Sequence, residues 1–231
     1  MEIPVGGDNM RRVFLASALV AMSALAANAG VVTLTFEGLG DQTAVGNYYG
    51  GGAGPNYGIT FGVDSLAIIS NQNGGTGNFN LEPSCCTVLF FLTGPGDIMD
   101  VSAGFTNGFS FYYTAAYDAG SVSVYSGLDG TGSLLASLAL PVTGDGASVS
   151  GCAGTDFCPF TPIGVTFSGT AESVDFSGTA NEIAFDNVTL GSSTPGSSAP
   201  EPGAFSLLGL GLASLGMYAR RRKATEAFRL P

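Results

Sequence analysis

The central part of this chain contains no positively charged side chain. All seven Lys and Arg residues lie before residue 13 or after residue 219, and the chain has no His. No salt bridge can therefore form between side chains of the central region, so its fold depends on apolar packing and hydrogen bonds. Its unbalanced acidic groups also repel DNA and RNA, which excludes nucleic acid as a partner.

Alternation of apolar and polar residues recurs throughout residues 30–191. In the segment 32–36, Val32, Leu34 and Phe36 alternate with threonines, which is the period-two pattern of a strand with one buried face. Similar runs occur at residues 109–113, 121–124, 174–176 and 183–185, and clusters rich in Gly, Asn, Asp or Pro separate them. The pattern predicts an all-β domain of about ten short strands, arranged as a β-sandwich of jelly-roll type.

The alternation changes phase once, inside the last predicted strand. Residues 183–185 follow one phase and residues 188–190 the other, so one extra residue lies between them. This predicts a β-bulge at Asp186 and Asn187. In a jelly roll the first and last strands often lie side by side, which would bring Glu37 close to Asp186.

This arrangement is similar to lectin-like carbohydrate-binding modules of jelly-roll form. In those modules an acidic residue of the first strand and one of the last often share a structural calcium ion, and carboxylate oxygens are suitable ligands for calcium. The resemblance implies a calcium site formed by Glu37, Asp41 and Asp186, with calcium as the one candidate cofactor. The alternative is that these three are solvated carboxylates at a sheet edge.

The N-terminal segment has the three parts of a secretory signal peptide. Arg11 and Arg12 precede an uncharged apolar run at residues 13–27, and small residues at Ala27 and Ala29 form a cleavage site before Gly30. The sequence therefore predicts a signal helix within residues 1–29, with Met10 as an alternative start, and implies a signal peptidase and an export translocon as partners.

The C-terminal segment predicts a second apolar helix. Residues 192–199 are rich in Ser, Pro and Gly and suggest a flexible linker, and Pro200, Glu201 and Pro202 follow. Residues 203–219 are uncharged and apolar, which predicts a transmembrane helix. Its cytoplasmic end would be marked by Arg220, Arg221, Arg222 and Lys223, followed by a cytoplasmic tail at residues 224–231.

The order Pro-Glu-Pro, apolar helix and basic cluster resembles the PEP-CTERM protein-sorting signal, which has also been described as an ice-binding protein C-terminal motif. The resemblance covers residues 200–223. It implies that Pro200, Glu201 and Pro202 are recognised by an exosortase, a membrane cysteine protease of Gram-negative bacteria. It further implies cleavage near these residues and delivery of residues 30–191 to the cell surface or extracellular matrix.

The four cysteines are consistent with export to an oxidising compartment, where disulfides form. Pairing Cys152 with Cys158 closes a short loop and is the simplest bridge, whereas Cys85 and Cys86 are adjacent. Cross-pairing of the two groups is equally allowed by the sequence, so the connectivity stays open.

The central region lacks the residues of the common catalytic sites. Without His or Lys, a Ser or Cys nucleophile has no usual base, which predicts that the protein is not an enzyme. We expect a non-enzymatic exported surface or matrix protein, with a calcium-dependent carbohydrate-binding module for extracellular polysaccharide as the alternative. A third interpretation is a secreted glycosidase, for which Asp97 with Asp100, or Glu172 with Asp175, would be the carboxylate pair. The chain has no Trp, so any stacking on a sugar would fall to Tyr48, Tyr49, Tyr57, Tyr112, Tyr113 or Tyr117.

Overall fold

A computed structural model describes residues 30–152 and 154–196 of the chain. The predicted signal helix, transmembrane helix and cytoplasmic tail lie outside these residues. Within them, helical structure is limited to short turns, and none has the length and apolar character needed to cross a membrane.

The described residues form two antiparallel sheets that pack face to face. The larger sheet has the order β10 (Thr161–Thr166), β7 (Gly108–Ala115), β12 (Ile183–Leu190), β5 (Thr87–Phe91), β4 (Ser65–Ile69) and β2 (Thr43–Ala44), with β1 (Val32–Leu34) also paired to β12. The smaller sheet has the order β3 (Ile59–Phe61), β6 (Gly96–Phe105), β11 (Ala171–Ser177), β8 (Gly120–Tyr125) and β9 (Leu134–Leu140). The predicted β-sandwich is therefore confirmed.

Aromatic rings fill the space between the sheets. The rings of Phe176 and Phe185, from the two opposite sheets, meet edge to face at 4.9 Å between centroids, and Phe111 packs against both. All three are at most 1% exposed. Burying rings of this size supplies much of the hydrophobic stabilisation available to a domain without salt bridges.

The last strand shows the two features expected of it, the pairing with the first strand and the bulge. It pairs with the first strand, with Val32 opposite Leu190, and its register against β7 shifts between Asp186 and Thr189. Asn187, inside this bulge, has a positive φ of 48°. Within the described residues there are twelve strands rather than about ten, and β2, with two residues, is too short to show an alternating pattern.

The outward side of the larger sheet, called here the covered face, lies beneath other parts of the chain. Residues 70–86 and residues 143–160, of which residue 153 is not described, place Phe79 and Phe160 on this side. There the two rings form a second apolar cluster with Val88 and Ala184.

A third segment, residues 191–196, also crosses the covered face, and we call it the C-terminal strap. Ser110 Oγ donates to the Ser192 carbonyl at 2.9 Å, and the Gly196 N–H donates to Thr189 Oγ1 at 3.0 Å. Gly164 lies beneath it, where any Cβ would collide with the carbonyl oxygen of Ser193. Most of the segment predicted as a flexible linker is thus bonded to the domain as far as Gly196.

The outward side of the smaller sheet, called here the bare face, carries short polar side chains. The hydroxyls of Ser123 and Ser137 lie 3.4 Å apart, and Ser177 donates to the Asp175 carboxylate at 2.9 Å. The loop between β8 and β9 reaches one end of this face, where the Asp129 N–H donates to Asp100 at 2.8 Å. Serine on one side and valine on the other explain the regular alternation of β8.

Candidate functional site

Asp186, predicted as a calcium ligand, is a fully buried carboxylate on the covered face. It accepts hydrogen bonds from the Ser84 N–H at 2.8 Å, from Ser84 Oγ at 2.6 Å and from the Asn187 N–H at 2.6 Å. Burial raises the pKa of Asp186 to about 7, the hydrogen bonds oppose this shift, and the charge of Glu37 adds to it. The carboxylate therefore anchors the segment 70–86 to β12.

The other two predicted calcium ligands bind different parts of the protein. Glu37 accepts from the Thr87 N–H at 2.9 Å, and burial raises its pKa. Asp41 accepts from the Ile69 N–H at 2.8 Å and from Thr76 Oγ1 at 2.9 Å. Burial alone would raise the pKa of Asp41, but these hydrogen bonds lower it below its usual value.

The structure thus places Glu37 near Asp186 but gives Asp41 separate partners. Across residues 30–152 and 154–196, no three His, Cys, Asp or Glu side chains are grouped in a way that could hold a metal ion. The predicted trio does not form such a group, and calcium binding stays a prediction.

The cysteines pair within their two groups. Cys152 bonds to Cys158, with 5.7 Å between their Cα atoms, and Cys85 bonds to its neighbour Cys86. The first bridge closes a loop over the covered face, and the second lies next to Ser84. Of the three connectivities open to the sequence, the structure adopts the one without cross-pairing.

A pocket of about 140 Å³ opens on the covered face. Its apolar floor comes from β4, β5 and β12, and its walls come from the segments 70–86 and 143–160. Asn78, Asn181 and Thr76 add polar groups to an otherwise apolar surface. The apolar lining residues are Ile68, Phe79, Phe90, Phe157, Ile183 and Ala184, together with Gly77.

Backbone pairing fixes the two walls of this pocket. Phe79 and Phe157 form a parallel bridge, and the Phe157 N–H donates to the Asn78 carbonyl at 3.2 Å. The Asn78 amide donates to the Asp156 carboxylate at 2.8 Å, which orients the amide beside the opening. The Cys152–Cys158 bridge restrains the same segment. A pocket held in this way is largely pre-formed, as ligand sites usually are.

Carboxylates surround one side of the pocket. Asp156 and Glu182 neighbour the lining residues, and partial burial, followed by the charges of Asp118 and Asp156, raises the pKa of Glu182. Tyr117, 57% exposed, lies in the same acidic surroundings. Desolvation, and then the negative charges of Asp156 and Asp145, raise the pKa of the Tyr117 hydroxyl.

The tyrosines considered for sugar stacking separate into core and surface residues. Tyr49 and Tyr113 are 3% and 2% exposed and belong to the core, and Tyr112 packs in the outer apolar cluster. Tyr57 and Tyr117 are the most exposed, at 44% and 57%. Tyr112 packs in the outer apolar cluster with the pocket-lining Phe79, Phe157 and Ala184, and Tyr117 shares its acidic surroundings with Asp156. Phe157 lines the pocket as a half-buried ring, which the sequence did not single out.

A second hollow of about 280 Å³ lies on the bare face, lined by Pro95, Gly96, Asp97, Ile98, Asp175 and Ser177. It is larger than the first pocket, but it has no aromatic wall and only one apolar aliphatic side chain besides a proline. Ligand sites combine apolar walls with a few placed polar groups, so the pocket on the covered face is the better candidate.

The described residues define a β-sandwich domain with a small pocket on one outer face. The chain also carries a PEP-CTERM sorting signal: residues 198–223 match the family described as the PEP-CTERM protein-sorting motif. This range contains Pro200, Glu201 and Pro202 and ends at the basic cluster, as the sequence predicted. The motif and the predicted signal cleavage site at Ala27, Ala29 and Gly30 lie outside the described residues.

No curated protein matches the chain. Among solved structures, the K2 cleaved adhesin domain of Lys-gingipain is similar, with a TM-score of 0.44 and 13% identity over 70% of this chain and 99% of that chain. The carbohydrate-binding module CBM6cm-2 from Cellvibrio mixtus lichenase 5A, in complex with cellotriose, has a TM-score of 0.37 and 12% identity over 71% of this chain and 98% of its own. Both TM-scores are below 0.5, so the function proposed below rests on this chain's own residues and its sorting motif.

Proposed function

We propose that this protein is an exported, non-enzymatic surface or matrix protein whose precursor is cleaved near its C-terminus. The observation that carries the proposal is the PEP-CTERM sorting motif at residues 198–223. Prolines on both sides of Glu201 disfavour helix and favour an extended segment, which is the conformation that proteases bind. The absence of His from the chain, and of Lys from residues 13–219, removes the usual base of a Ser or Cys nucleophile and supports a non-enzymatic role.

In its finer form, the proposal describes a transient membrane precursor in a Gram-negative bacterium. The signal peptidase removes residues 1–29, and the helix at residues 203–219 holds the precursor in the inner membrane. Residues 220–223 stay on the cytoplasmic side because positive charges oppose translocation. An exosortase-like protease then cuts near Pro200, Glu201 and Pro202 and releases the domain.

Mass spectrometry of the mature protein from its native host tests this pathway. The intact mass should correspond to a chain that starts near residue 30 and ends near residue 200. Peptides should be made with a protease specific for acidic residues, because the central region offers trypsin no cleavage site. An intact C-terminus at residue 231 in surface protein would contradict the proposal.

A matched pair of variants separates the motif from general effects on export. Replacing Pro200, Glu201 and Pro202 together with alanine should cause the uncleaved precursor to accumulate in the membrane. Replacing Ser192, Ser193 and Thr194 with alanine, just before the motif, should leave cleavage intact. Equal processing of both variants would remove Pro-Glu-Pro from the recognition step.

The second candidate function is binding of an extracellular polysaccharide. Its supporting observation is the pocket on the covered face, where phenylalanine rings and amide groups lie side by side. Aromatic and apolar walls with a few placed polar groups are typical of small-ligand sites. A glycan array with the purified domain tests this candidate, and the absence of any glycan signal would remove it.

Calcium dependence is a separate proposal within this candidate. The closeness of Glu37 and Asp186, with no cationic side chain in the central region to balance them, supports it. Repeating the glycan array with a chelator and following thermal unfolding during a Ca²⁺ titration test it. An unchanged Tm and an unchanged glycan signal would show that calcium has no role.

A further inference from the structure

We propose that the pocket on the covered face binds a single ring of a neutral sugar within an extracellular polysaccharide. This inference rests on the carbohydrate-binding candidate and assigns its site and its ligand class. The pocket volume of about 140 Å³ is the first argument. An engineered protein cavity of about 150 Å³ accommodates benzene, so the space here, which is open on one side, has room for about one ring at a time.

The chemistry of the lining is the second argument. A sugar ring has C–H groups on its faces and hydroxyls around its edge, and it therefore needs an apolar surface and hydrogen-bonding groups within one pocket. Phe157 supplies a half-buried ring, while Asn78 and Asn181 supply amide groups at the edge of the same pocket. Asparagine amides both donate and accept hydrogen bonds, which matches the dual character of hydroxyl groups.

Electrostatics gives the third argument and limits the ligand class. Asp156 contacts the lining residue Asn78, and Glu182 lies between the lining residues Asn181 and Ile183. Residues 13–219 contain no cation that could pair with a ligand carboxylate or sulfate. Uronic acids and sulfated sugars would meet uncompensated repulsion here, whereas a neutral sugar would not.

Isothermal titration of the mature protein with two matched probes tests the ligand class. Cellotriose represents neutral sugars, and a galacturonic acid trimer represents anionic sugars. We expect the neutral trimer to bind and the anionic trimer not to bind. Binding of the anionic trimer as tight as that of the neutral one would overturn the assignment.

Two variants with matched controls test the location. Asn181 has a positive φ of 62°, a conformation that glycine adopts without strain, so Asn181→Gly removes the amide and keeps the backbone conformation. Its control is Asn107→Gly in a distant turn, where φ is 77°. Phe157→Leu removes the ring face, and Phe167→Leu is its control. Each pocket variant should weaken binding of the neutral trimer at least about fivefold, and each control should leave it unchanged.

A measurement without variants covers the case in which a substitution disturbs folding. Backbone amide resonances of the unaltered domain should shift on titration with cellotriose at residues 76–79, at Phe157 and at Asn181. Shifts centred on Asp97, Asp175 and Ser177 would place the site in the hollow of the bare face and overturn the inference. Such a result would keep the carbohydrate-binding candidate, whereas no binding of cellotriose together with no signal on the glycan array would remove both.

Discussion

The two outer faces of the sandwich differ in what lies on top of them. The covered face supports three segments and a second apolar cluster, while the bare face presents serines and aspartates over most of its surface. In β5, which belongs to the sheet with the covered face, all five residues are buried. In β8, which belongs to the sheet with the bare face, only the side chains directed to the core are buried. A strand that is apolar on both sides thus indicates a covered face, and the pocket lies where two covering segments meet.

The largest expected difference between the faces concerns Phe79, which is 2% exposed and packs edge to face on Phe160. Phe79→Ala should lower the free energy of unfolding by about 3–5 kcal/mol, because it removes a buried ring and leaves a cavity. On the bare face, Ser123→Ala should change it by less than about 0.5 kcal/mol. Urea denaturation at pH 7 measures both, and similar losses would mean that the covering cluster contributes little stability.

The second difference is a pH dependence specific to the covered face. Because the pKa of Asp186 is raised in the folded protein, the folded state holds its proton more tightly, and stability falls as the pH rises from about 4 to about 7. Asp186→Asn should reduce this slope by up to about 1.4 kcal/mol per pH unit. The pKa of Glu37 is also raised, so part of the dependence of the unfolding free energy on pH should remain in Asp186→Asn.

Asp41→Asn is the control for this pH dependence. The pKa of Asp41 is lowered, so its carboxylate is ionised in both folded and unfolded protein above about pH 5 and adds no slope there. Urea denaturation at several pH values between 4.5 and 7.5 measures the slopes. A wild-type slope retained by Asp186→Asn would show that this carboxylate does not control the pH response.

The third test compares the stability that the two disulfides contribute, both of which lie in segments over the covered face. Replacing Cys152 and Cys158 with serine frees the loop that carries Asp156 and Phe157, and the entropy of closing so short a loop predicts a loss of about 2 kcal/mol. Replacing Cys85 and Cys86 frees no intervening residues and should cost much less. Thermal unfolding of the two double variants compares them, and a larger effect of the second pair would contradict the importance of the loop.

The smallest expected effect concerns the C-terminal strap. Gly164→Ala places a methyl group against the Ser193 carbonyl and should displace the strap at a cost of about 1 kcal/mol. Limited proteolysis should then cut residues 191–196 more quickly. Gly30→Ala is the control, because its added methyl group meets nothing within 4 Å. Equal cleavage rates would show that the strap does not depend on Gly164.

Much of the sandwich could be predicted because its strands follow simple patterns. The serine–valine alternation of β8 and the phase change in β12 depend only on neighbouring residues, so these strands and the bulge follow from local sequence. The pairing of β1 with β12 was instead expected from the jelly-roll architecture. The sorting motif could also be predicted from the sequence, because its three parts follow one another directly along the chain.

The pocket could not be predicted in the same way. Asn78 and Asp156, which are hydrogen-bonded in its wall, are 78 positions apart in the sequence, and Asn181 comes from a third turn. The buried run Thr87–Phe91 was the available signal, because it requires cover on both sides, but it does not identify the covering segments. The three predicted calcium ligands were separated for a related reason: the pairing of the first and last strands brings Glu37 near Asp186, while hydrogen bonds from Ile69 and Thr76 hold Asp41.

The C-terminal strap has a consequence for the lifetime of the released protein. Exopeptidases that shorten proteins from the carboxyl end need several residues of chain detached from the fold. Here the backbone is bonded to the domain as far as Gly196, and small residues at Gly108 and Gly164 provide the space in which it lies. Trimming of the chain that the proposed cleavage would release should therefore stop at about this residue, because the strap must first detach from the sheet.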